Sequence, residues 1–404
     1  MHYRLNGLWI GILLVFLLSG VNGPAHSQLY LSMVNFQGGG FFPAASLGKA
    51  LAKPEFLVDS NQNVTNSSPA VYKMGSTLMM SIGLTTGASA YSGTLIISAT
   101  YTGQGNDSWT LTPSPASISI SLPPNSSSTP ITLSLAGMPS IVSKGKLSVQ
   151  FQTSQPPLIR NGQNMSLPNL GFGYTTTIYQ VLDTPNAPMS VPWIEVLNYS
   201  CIWAYGKSSA ADVAQYETTG LFNGSMFTYP ANKSANWLDP MNDTIFRLKD
   251  YLNATKPAYG NCVDVSDFLL ICANSVGLSF QSQRYTSNPP WPSNVGNSFQ
   301  TTPICAIGSN AANDASYVNY MFGMHQIDNG LSGVYDACAA QYYDLSGNSW
   351  KKPIYGWLLN GYWQTQQANN NIVGLVLRPN SVATPLLGNS QPSSIYGPYV
   401  PTVQ

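Results

Sequence analysis

Charged residues are scarce in this sequence, and their scarcity excludes one class of function. Only 8% of the 404 residues are charged, with 16 basic and 16 acidic side chains. No basic stripe is present that could follow a phosphate backbone, which disfavours nucleic-acid binding. No phosphate-binding glycine loop or dinucleotide motif occurs either. A chain of such low net charge suits an extracellular protein and favours self-association.

The N-terminal segment has the layout of a secretory signal peptide. One basic residue, Arg4, precedes an apolar stretch from Leu8 to Leu18, and the small-residue site Ala25-His26-Ser27 follows. This stretch is shorter than the about 20 residues that a membrane-spanning helix needs, and no later segment is long enough to be one. We therefore expect cleavage before Gln28 and a secreted protein without a membrane span. An uncleaved anchor is the alternative.

Histidine and cysteine are also scarce. Removal of the signal would take away His2 and His26 and leave His325 as the one histidine of the mature chain. Cysteine–histidine chemistry would then have to use His325. One histidine makes a metal site improbable, and we expect neither a metal nor a cofactor. The cysteines number five, an odd count that predicts one thiol outside any disulfide: Cys201, Cys262, Cys272, Cys305 and Cys338.

The N-terminal half has the pattern of an all-β domain. Apolar and polar residues alternate strictly in Ser117–Leu122, Ile131–Leu135 and Leu147–Phe151, as in strands with one buried face. Proline- and glycine-rich turns separate these segments. Their number and spacing predict an antiparallel, immunoglobulin-like β-sandwich over residues 55–184. Residues 28–54 predict an irregular lead-in.

Helices are predicted after a linker at Asp183–Pro188. A capping-box start predicts a helix from Ser209 to Thr219, and apolar residues at helical spacing predict a second within Asp243–Asn253. The strongest helical pattern is Val263–Val276, with Gly277 as its stop. Strands are expected again after Cys305, and the Pro/Ser-rich segment Ser381–Gln404 predicts an extended tail.

Cys262 has a position typical of a nucleophile. It lies at the first turn of the strongest predicted helix, after Tyr259-Gly260-Asn261. The partial positive charge of a helix N-terminus stabilises a thiolate there. A disulfide cysteine that happens to begin a helix is the alternative.

The residues after His325 predict a β-hairpin with the four-residue loop 329–332. In that register Asp328 pairs with Gly333. His325 then pairs with Asp336, and directly opposed side chains share a face with their Cβ atoms about 5 Å apart. A carboxylate in that position fixes the tautomer of an imidazole and stabilises its charged form. A one-residue slip of register would break this pairing. The alternative interpretation is a surface histidine near an acid.

These segments resemble the motifs of the transglutaminase-like superfamily. Residues 260–264 and the apolar helix that ends at 274–278 are similar to its cysteine motif. The strand that carries His325 and the segment 334–337 are similar to its histidine and aspartate motifs. Segments 304–309 and 192–197 resemble those of secreted bacterial transglutaminase-like proteins.

The resemblance covers about Val191 to Leu377 and leaves the predicted sandwich outside. It implies a papain-like α+β fold with a catalytic triad of Cys262, His325 and Asp336. The gap of 11 residues between the last two is shorter than in many members, so Asp344 is an alternative acid. For the oxyanion, the backbone N–H of Cys262 is a candidate donor, and the side chains of Tyr259 and Trp237 are alternatives.

If Cys262 is the thiol outside the disulfides, the other four cysteines can form two bridges in any of three pairings. The predicted pairing partners are Cys201, Cys272, Cys305 and Cys338. All four lie in the C-terminal half, so the bridges would stabilise that domain.

The predicted organisation is mostly β plus α+β: signal peptide 1–27, lead-in 28–54, β-sandwich 55–184, transglutaminase-like domain 189–380 and tail 381–404. The predicted function is acyl transfer by a secreted cysteine enzyme that acts on a protein or peptide, by crosslinking, deamidation or hydrolysis. The alternative is an inactive adhesion, matrix or surface-assembly protein, with an extracellular or cell-surface partner or with itself as partner.

Overall fold

The computed structural model of the chain describes residues 29–59, 64–154, 158–160, 163–165, 171–229, 235–286, 299–300, 304–308, 321–322, 324–345, 348–357, 366–368, 371–373 and 393–404. Within these ranges the protein is mostly β, with a large curled sheet followed by a part that mixes helices and strands. The predicted signal peptide lies outside the described residues.

The first part of the chain contains strands only. They are β1 (Leu29–Gln37), β2 (Phe41–Phe42), β3 (Ala45–Ser46), β4 (Lys49–Ala50), β5 (Phe56–Val58), β6 (Val64–Ser67), β7 (Ala70–Lys73), β8 (Leu78–Thr86), β9 (Tyr91–Gly103), β10 (Ser108–Ser114), β11 (Ser117–Leu122), β12 (Ile131–Ala136), β13 (Ser143–Ser154), β14 (Leu158–Arg160), β15 (Gln163–Met165) and β16 (Gly171–Val181).

The second part contains both kinds of element. They are α1 (Ile194–Trp203), α2 (Ala210–Asn223), β17 (Phe227–Thr228), β18 (Leu238–Asp239), β19 (Asn242–Phe246), α3 (Leu248–Asn253), β20 (Ala258–Tyr259), α4 (Cys262–Ser275), β21 (Gln281–Thr286), β22 (Phe299–Gln300), β23 (Ile304–Ala306), β24 (Met321–Phe322), β25 (Met324–Gly330), β26 (Gly333–Leu345), β27 (Asn348–Trp357), β28 (Gln366–Ala368), β29 (Asn371–Val373), β30 (Ser393–Tyr399) and β31 (Thr402–Val403).

The large sheet has twelve strands in the order β2-β7-β16-β13-β9-β10-β12-β8-β1-β5-β6, with β11 also paired to β9. The sheet curls at β10, which pairs with β9 through residues 108–111 and with β12 through residues 112–114. Side chains that alternate along these strands, such as Leu95, Ile97 and Ala99 on β9, fill a core inside the curl. The alternation of β11, β12 and β13 was therefore predicted correctly, whereas the immunoglobulin-like architecture stays a prediction.

The prediction of an irregular lead-in over residues 28–54 was wrong for its first nine described residues. Strand β1 pairs with β8 and β5 in the large sheet. Its buried residues are Leu29, Leu31, Val34 and Phe36, with a register shift between Leu31 and Met33. An extra residue at such a bulge breaks the period-two alternation. The strand was for that reason invisible to a search for strict alternation.

Two of the three predicted helices were confirmed, and the third is shorter than predicted. Helix α2 begins after Ser209, whose side chain accepts the Asp212 N–H, and α4 begins after Asn261. The second prediction, Asp243–Asn253, is helical only from Leu248. The preceding strand β19 forms because Asn242 Oδ1 accepts the N–H of Thr244 and because Ile245 pairs with Thr402. Helix α1 was not predicted.

Helix α4 lies at the centre of the second core, and all fourteen of its residues are buried. This core joins the helices to one face of the large sheet, where Val71, Val142 and Val181 pack. The predicted linker contacts the end of α4: the Asp183 N–H donates to Val276 O, and the Asn186 N–H donates to Asn274 O. A helix buried on every side must satisfy its polar side chains internally, and those of α4 supply the site described below.

A second sheet, in the order β23-β26-β25-β21-β30 with β27 also on β26, packs against α4. The predicted extended tail Ser381–Gln404 was wrong for its described residues. Strand β30 pairs with β21, and β31 pairs with β19, while residues 381–392 lie outside the described residues. Among the helices that the structure describes, none is long and apolar enough to cross a membrane.

Candidate functional site

Cys262 is the first residue of α4, and a capping box holds it there. The side chain of Asn261 accepts the N–H groups of Val263 at 2.9 Å and Asp264 at 3.4 Å, while Asp264 Oδ2 accepts the Asn261 N–H at 3.0 Å. Gly260 is required next to this cap, because a Cβ there would come within 2.6 Å of the Phe227 ring. The thiol therefore lies at the positive end of the helix dipole, where a thiolate is stabilised.

Asp264 ties a neighbouring loop to the start of the helix. Its carboxylate also accepts the backbone N–H groups of Asn236 at 3.0 Å and Trp237 at 2.9 Å. Burial raises the pKa of Asp264 to about 6, although the three backbone N–H donors act in the opposite direction. The capping box could have been recognised in the sequence from Asn261 and Asp264, whereas the loop contacts are long-range.

His325 lies on β25 with its ring buried, and Asp336 on β26 orients it. His325 Nε2 is 3.0 Å from Asp336 Oδ2, and both side chains are 2% exposed. Asp336 Oδ1 accepts the backbone N–H of Cys338 at 2.8 Å, which fixes the carboxylate. The structure thus brings these two predicted site residues together as an ion pair.

The hairpin register that was predicted for this pair was wrong by two residues. Asp328 pairs with Tyr335 instead of Gly333, and the turn is the two-residue Leu331-Ser332 with positive φ at both positions. Because side chains alternate with period two, a shift of two leaves Asp336 on the face that His325 shares. The side chains therefore meet although the predicted partners do not oppose one another.

The Cys262 thiol lies close enough to the His325 imidazole to affect its protonation. Burial lowers the pKa of His325, but the charge and hydrogen bond of Asp336, together with Cys262, outweigh it and raise the pKa to about 10. At neutral pH the imidazole is therefore held in its charged form, between a carboxylate and a thiol.

The alternative site residues are placed as follows. The Trp237 indole N–H donates to Tyr259 O at 2.7 Å, so this donor is already engaged and does not serve an oxyanion. The Tyr259 side chain is 64% exposed beside the cap. The backbone N–H of Cys262, at the helix N-terminus, stays the candidate oxyanion donor. The side chain of Asp344, on β26, lies outside the described residues.

The prediction of two disulfides was wrong for the cysteine side chains that the structure describes. Cys201, Cys262, Cys272 and Cys338 are thiols, and all are buried. Cys201 on α1 directs its sulfur to Gln180 O at 3.8 Å, whereas Cys338 lies on β26 beside Asp336. A count of cysteines cannot reveal whether their sulfur atoms come within bonding distance of one another; the Cys305 side chain lies outside the described residues.

A buried polar cluster behind the site was missed by the sequence analysis. It joins Ser266 and Asp267 on α4, Ser282 on β21, and Gln326 and Asp328 on β25. In the sequence, this cluster is visible only as polar residues within apolar helices and strands. Its hydrogen-bonding partners lie far apart in the sequence. In the described part of the chain, no group of three or more His, Cys, Asp or Glu side chains is arranged to hold a metal ion.

Comparisons with known proteins give only weak likenesses. No protein-family model matches the chain, and no curated protein does. Red sea bream transglutaminase is similar in structure with a TM-score of 0.34 and 11% identity; the match covers 70% of this chain and 50% of that one. The chain thus spans about half the length of that enzyme.

Two further solved structures show weaker likenesses. A family 123 glycoside hydrolase from Clostridium perfringens has a TM-score of 0.22 and 13% identity, over 43% of this chain and 32% of that one. A chain from the chaperone–tip adhesin complex of CFA/I fimbriae has a TM-score of 0.20 and 11% identity, over 71% and 95%. Likenesses of this size carry no functional conclusion, so the function must be argued from the site itself.

Proposed function

We propose that the protein is a secreted, transglutaminase-like cysteine enzyme that performs acyl transfer through Cys262, His325 and Asp336. One observation carries the proposal: a thiol at a helix N-terminus lies beside an imidazole whose Nε2 is 3.0 Å from a buried carboxylate. This is the arrangement in which a thiolate, a charged imidazole and an orienting acid cooperate in nucleophilic catalysis.

The chemistry follows from these positions. The Cys262 thiolate attacks a carboxamide carbonyl carbon, and the carbonyl oxygen becomes an oxyanion near the Cys262 N–H. The His325 imidazolium gives its proton to the leaving nitrogen, the carbon–nitrogen bond breaks, and an acyl thioester remains. The now neutral His325 takes a proton from an amine or a water molecule, which attacks the thioester and releases Cys262 as thiolate. Asp336 orients the ring and stabilises its charged form throughout.

The substrate class that fits this chemistry is a protein or peptide with a glutamine-type or peptide amide. An amine acceptor would give a crosslink, and water would give deamidation or hydrolysis. The site uses neither a metal nor a cofactor in this mechanism. The low charge of the chain, 8% of residues, suits work among extracellular proteins.

The test measures transfer of a fluorescent primary amine to a glutamine-containing peptide, with ammonia release recorded in parallel. We expect activity in the natural protein and background values for Cys262→Ala and His325→Gln. Cys201→Ala is the matched control, because it removes another buried thiol that packs on Gln180 O instead of on His325. Equal activity in Cys262→Ala and the natural protein would contradict the proposal.

A second candidate is a non-enzymatic adhesion, matrix or surface-assembly protein with the same parts. The observation that favours it is the depth of the site, since Cys262, His325 and Asp336 are each 3% exposed or less. For this candidate we expect no transfer and no ammonia release, together with binding to extracellular proteins or to itself that survives Cys262→Ala.

A further inference from the structure

The cluster behind the site links the elements that carry the candidate nucleophile and base. Ser266 Oγ on α4 and Ser282 Oγ on β21 both donate to Asp328 Oδ1 on β25, at 2.8 and 2.7 Å. Gln326 Nε2 on β25 donates to Asp267 Oδ1 on α4 at 2.6 Å. These bonds join α4 directly to β25 by two routes.

The position of the cluster in the chain indicates its structural role. Ser266 lies four residues after Cys262, one helical turn along α4, and Gln326 directly follows His325. Displacement of β25 along α4 would therefore break the cluster and separate the thiol from the imidazole together. Burying polar groups costs free energy unless they are hydrogen-bonded, and a buried network of such bonds makes the packing of α4 on β25 rigid.

We propose that Asp328 is a positioning residue: through Ser266 and Ser282 it fixes β25 on α4 and so sets the contact between Cys262 and His325. This inference rests on the proposed acyl-transfer function for its meaning. The geometry itself can be measured without any substrate, so the two ideas can fail separately.

The groups around Asp328 influence its protonation state. Asp267 interacts with one cation, Arg284 on β21, whose Nε donates to Gln326 Oε1 at 3.0 Å. Burial raises the pKa of Asp267 to about 7, although Arg284 favours its charged form. Burial, with the nearby charges of Asp267 and Asp336, raises the pKa of Asp328 well above its usual range. Burial therefore favours the neutral form of Asp328, and its Oδ1 accepts hydrogen bonds from two hydroxyl groups.

This assignment makes a sharp contrast between two substitutions. Asp328→Asn keeps an uncharged group with one carbonyl oxygen for the two serine donors. Asp328→Ala removes that acceptor and leaves both hydroxyl groups to find others. Asp250→Asn is the control, because Asp250 is an exposed acid on α3 outside the cluster.

The experiment measures kcat and KM for amine transfer and, independently, the pKa of His325 by histidine NMR. We expect the kcat of Asp328→Asn and of Asp250→Asn to stay within about threefold of the natural value, with the pKa of His325 unchanged. Asp328→Ala should lower kcat about 10- to 100-fold with little change in KM, because a small misplacement of reacting groups has effects of this size. It should also shift the His325 pKa.

Two results would overturn the inference. One is a folded Asp328→Ala protein with the natural kcat and the natural His325 pKa. The other is an Asp328→Asn protein as impaired as Asp328→Ala, which would mean that a charged Asp328 is needed. If Asp328→Ala does not fold, Ser282→Ala removes one donor instead, and natural values in that variant overturn the inference equally. If neither the natural protein nor any variant transfers amine, the pKa of His325 alone tests the inference.

Discussion

Replacing Asp336 with asparagine should convert His325 from a charged to a mainly neutral side chain. In the natural protein burial lowers the pKa of His325, but Asp336 and Cys262 raise it to about 10. At pH 7 only about one imidazole in a thousand is then neutral. Asp336 is the larger of the two groups that raise the pKa, so without its charge burial should bring the pKa to about 6.5, where about a quarter of the imidazole is charged at pH 7.

This change of about 3.5 pKa units corresponds to about 5 kcal/mol of lost preference for the charged ring. The assay is an NMR titration of the histidine ring protons, which is simple because the chain has three histidines and His325→Gln identifies the relevant signal. Asp250→Asn serves as the control. If His325 in Asp336→Asn titrates within one unit of its natural value, Asp336 does not hold the imidazolium and our account of the site is wrong.

Three further predictions concern the support of the site. Gly260→Ala should lower the free energy of unfolding by about 1–3 kcal/mol in chemical denaturation, because its Cβ would meet the Phe227 ring. Gly39→Ala is the control and should leave the free energy of unfolding unchanged, because a Cβ at Gly39 meets nothing within 4 Å. Asp264→Asn should cost about 1–3 kcal/mol, because its amide N–H would face a backbone donor; an unchanged denaturation midpoint would argue against the capping role. Burial raises the pKa of Glu217 from 4.5 to about 8, so the folded chain keeps a proton that the unfolded chain releases. The free energy of unfolding should therefore fall as pH rises from about 4.5 to 8. Glu217→Gln should flatten this part of the curve of Tm against pH.

Local signals in the sequence were sufficient to predict the helix that carries Cys262. The cap at Asn261, the apolar spacing of α4 and the stop at Gly277 are all encoded within about 17 consecutive residues, and the structure forms that helix. The same holds for Ser209 at the start of α2. Such elements are predictable because the groups that satisfy their backbone lie next to them in the chain.

The histidine side was only partly predictable, because it depends on a turn. Asn329-Gly330 had the composition of a hairpin loop, but the chain turns at Leu331 and Ser332 with φ of 50° and 62°. These residues seldom adopt positive φ, so composition pointed to the wrong pair. The contact between His325 and Asp336 survives because the error was an even number of residues.

Long-range partners explain the remaining errors. The bulge in β1 hides its alternation until β8 is seen beside it, and β31 is a strand only because β19 lies next to it. The link between Ser266 and Asp328 spans 62 residues, and no local pattern reports it. Tertiary contacts of this kind decide strand identity and buried polar partners more than intrinsic preference does.

The contacts at the end of α4 limit how the two parts of this chain can be recombined with other domains during evolution. Gly277 lies against the backbone of Asp183, 2.6 Å from where a Cβ would be, and Asn186 N–H donates to Asn274 O. The helix that begins at Cys262 therefore ends on the chain that leaves the large sheet. A recombination event that exchanged the large sheet for an unrelated domain at residues 183–188 would also remove the support of this helix. The two parts should consequently have diverged as a pair, with changes on the sheet matched by changes on the helix.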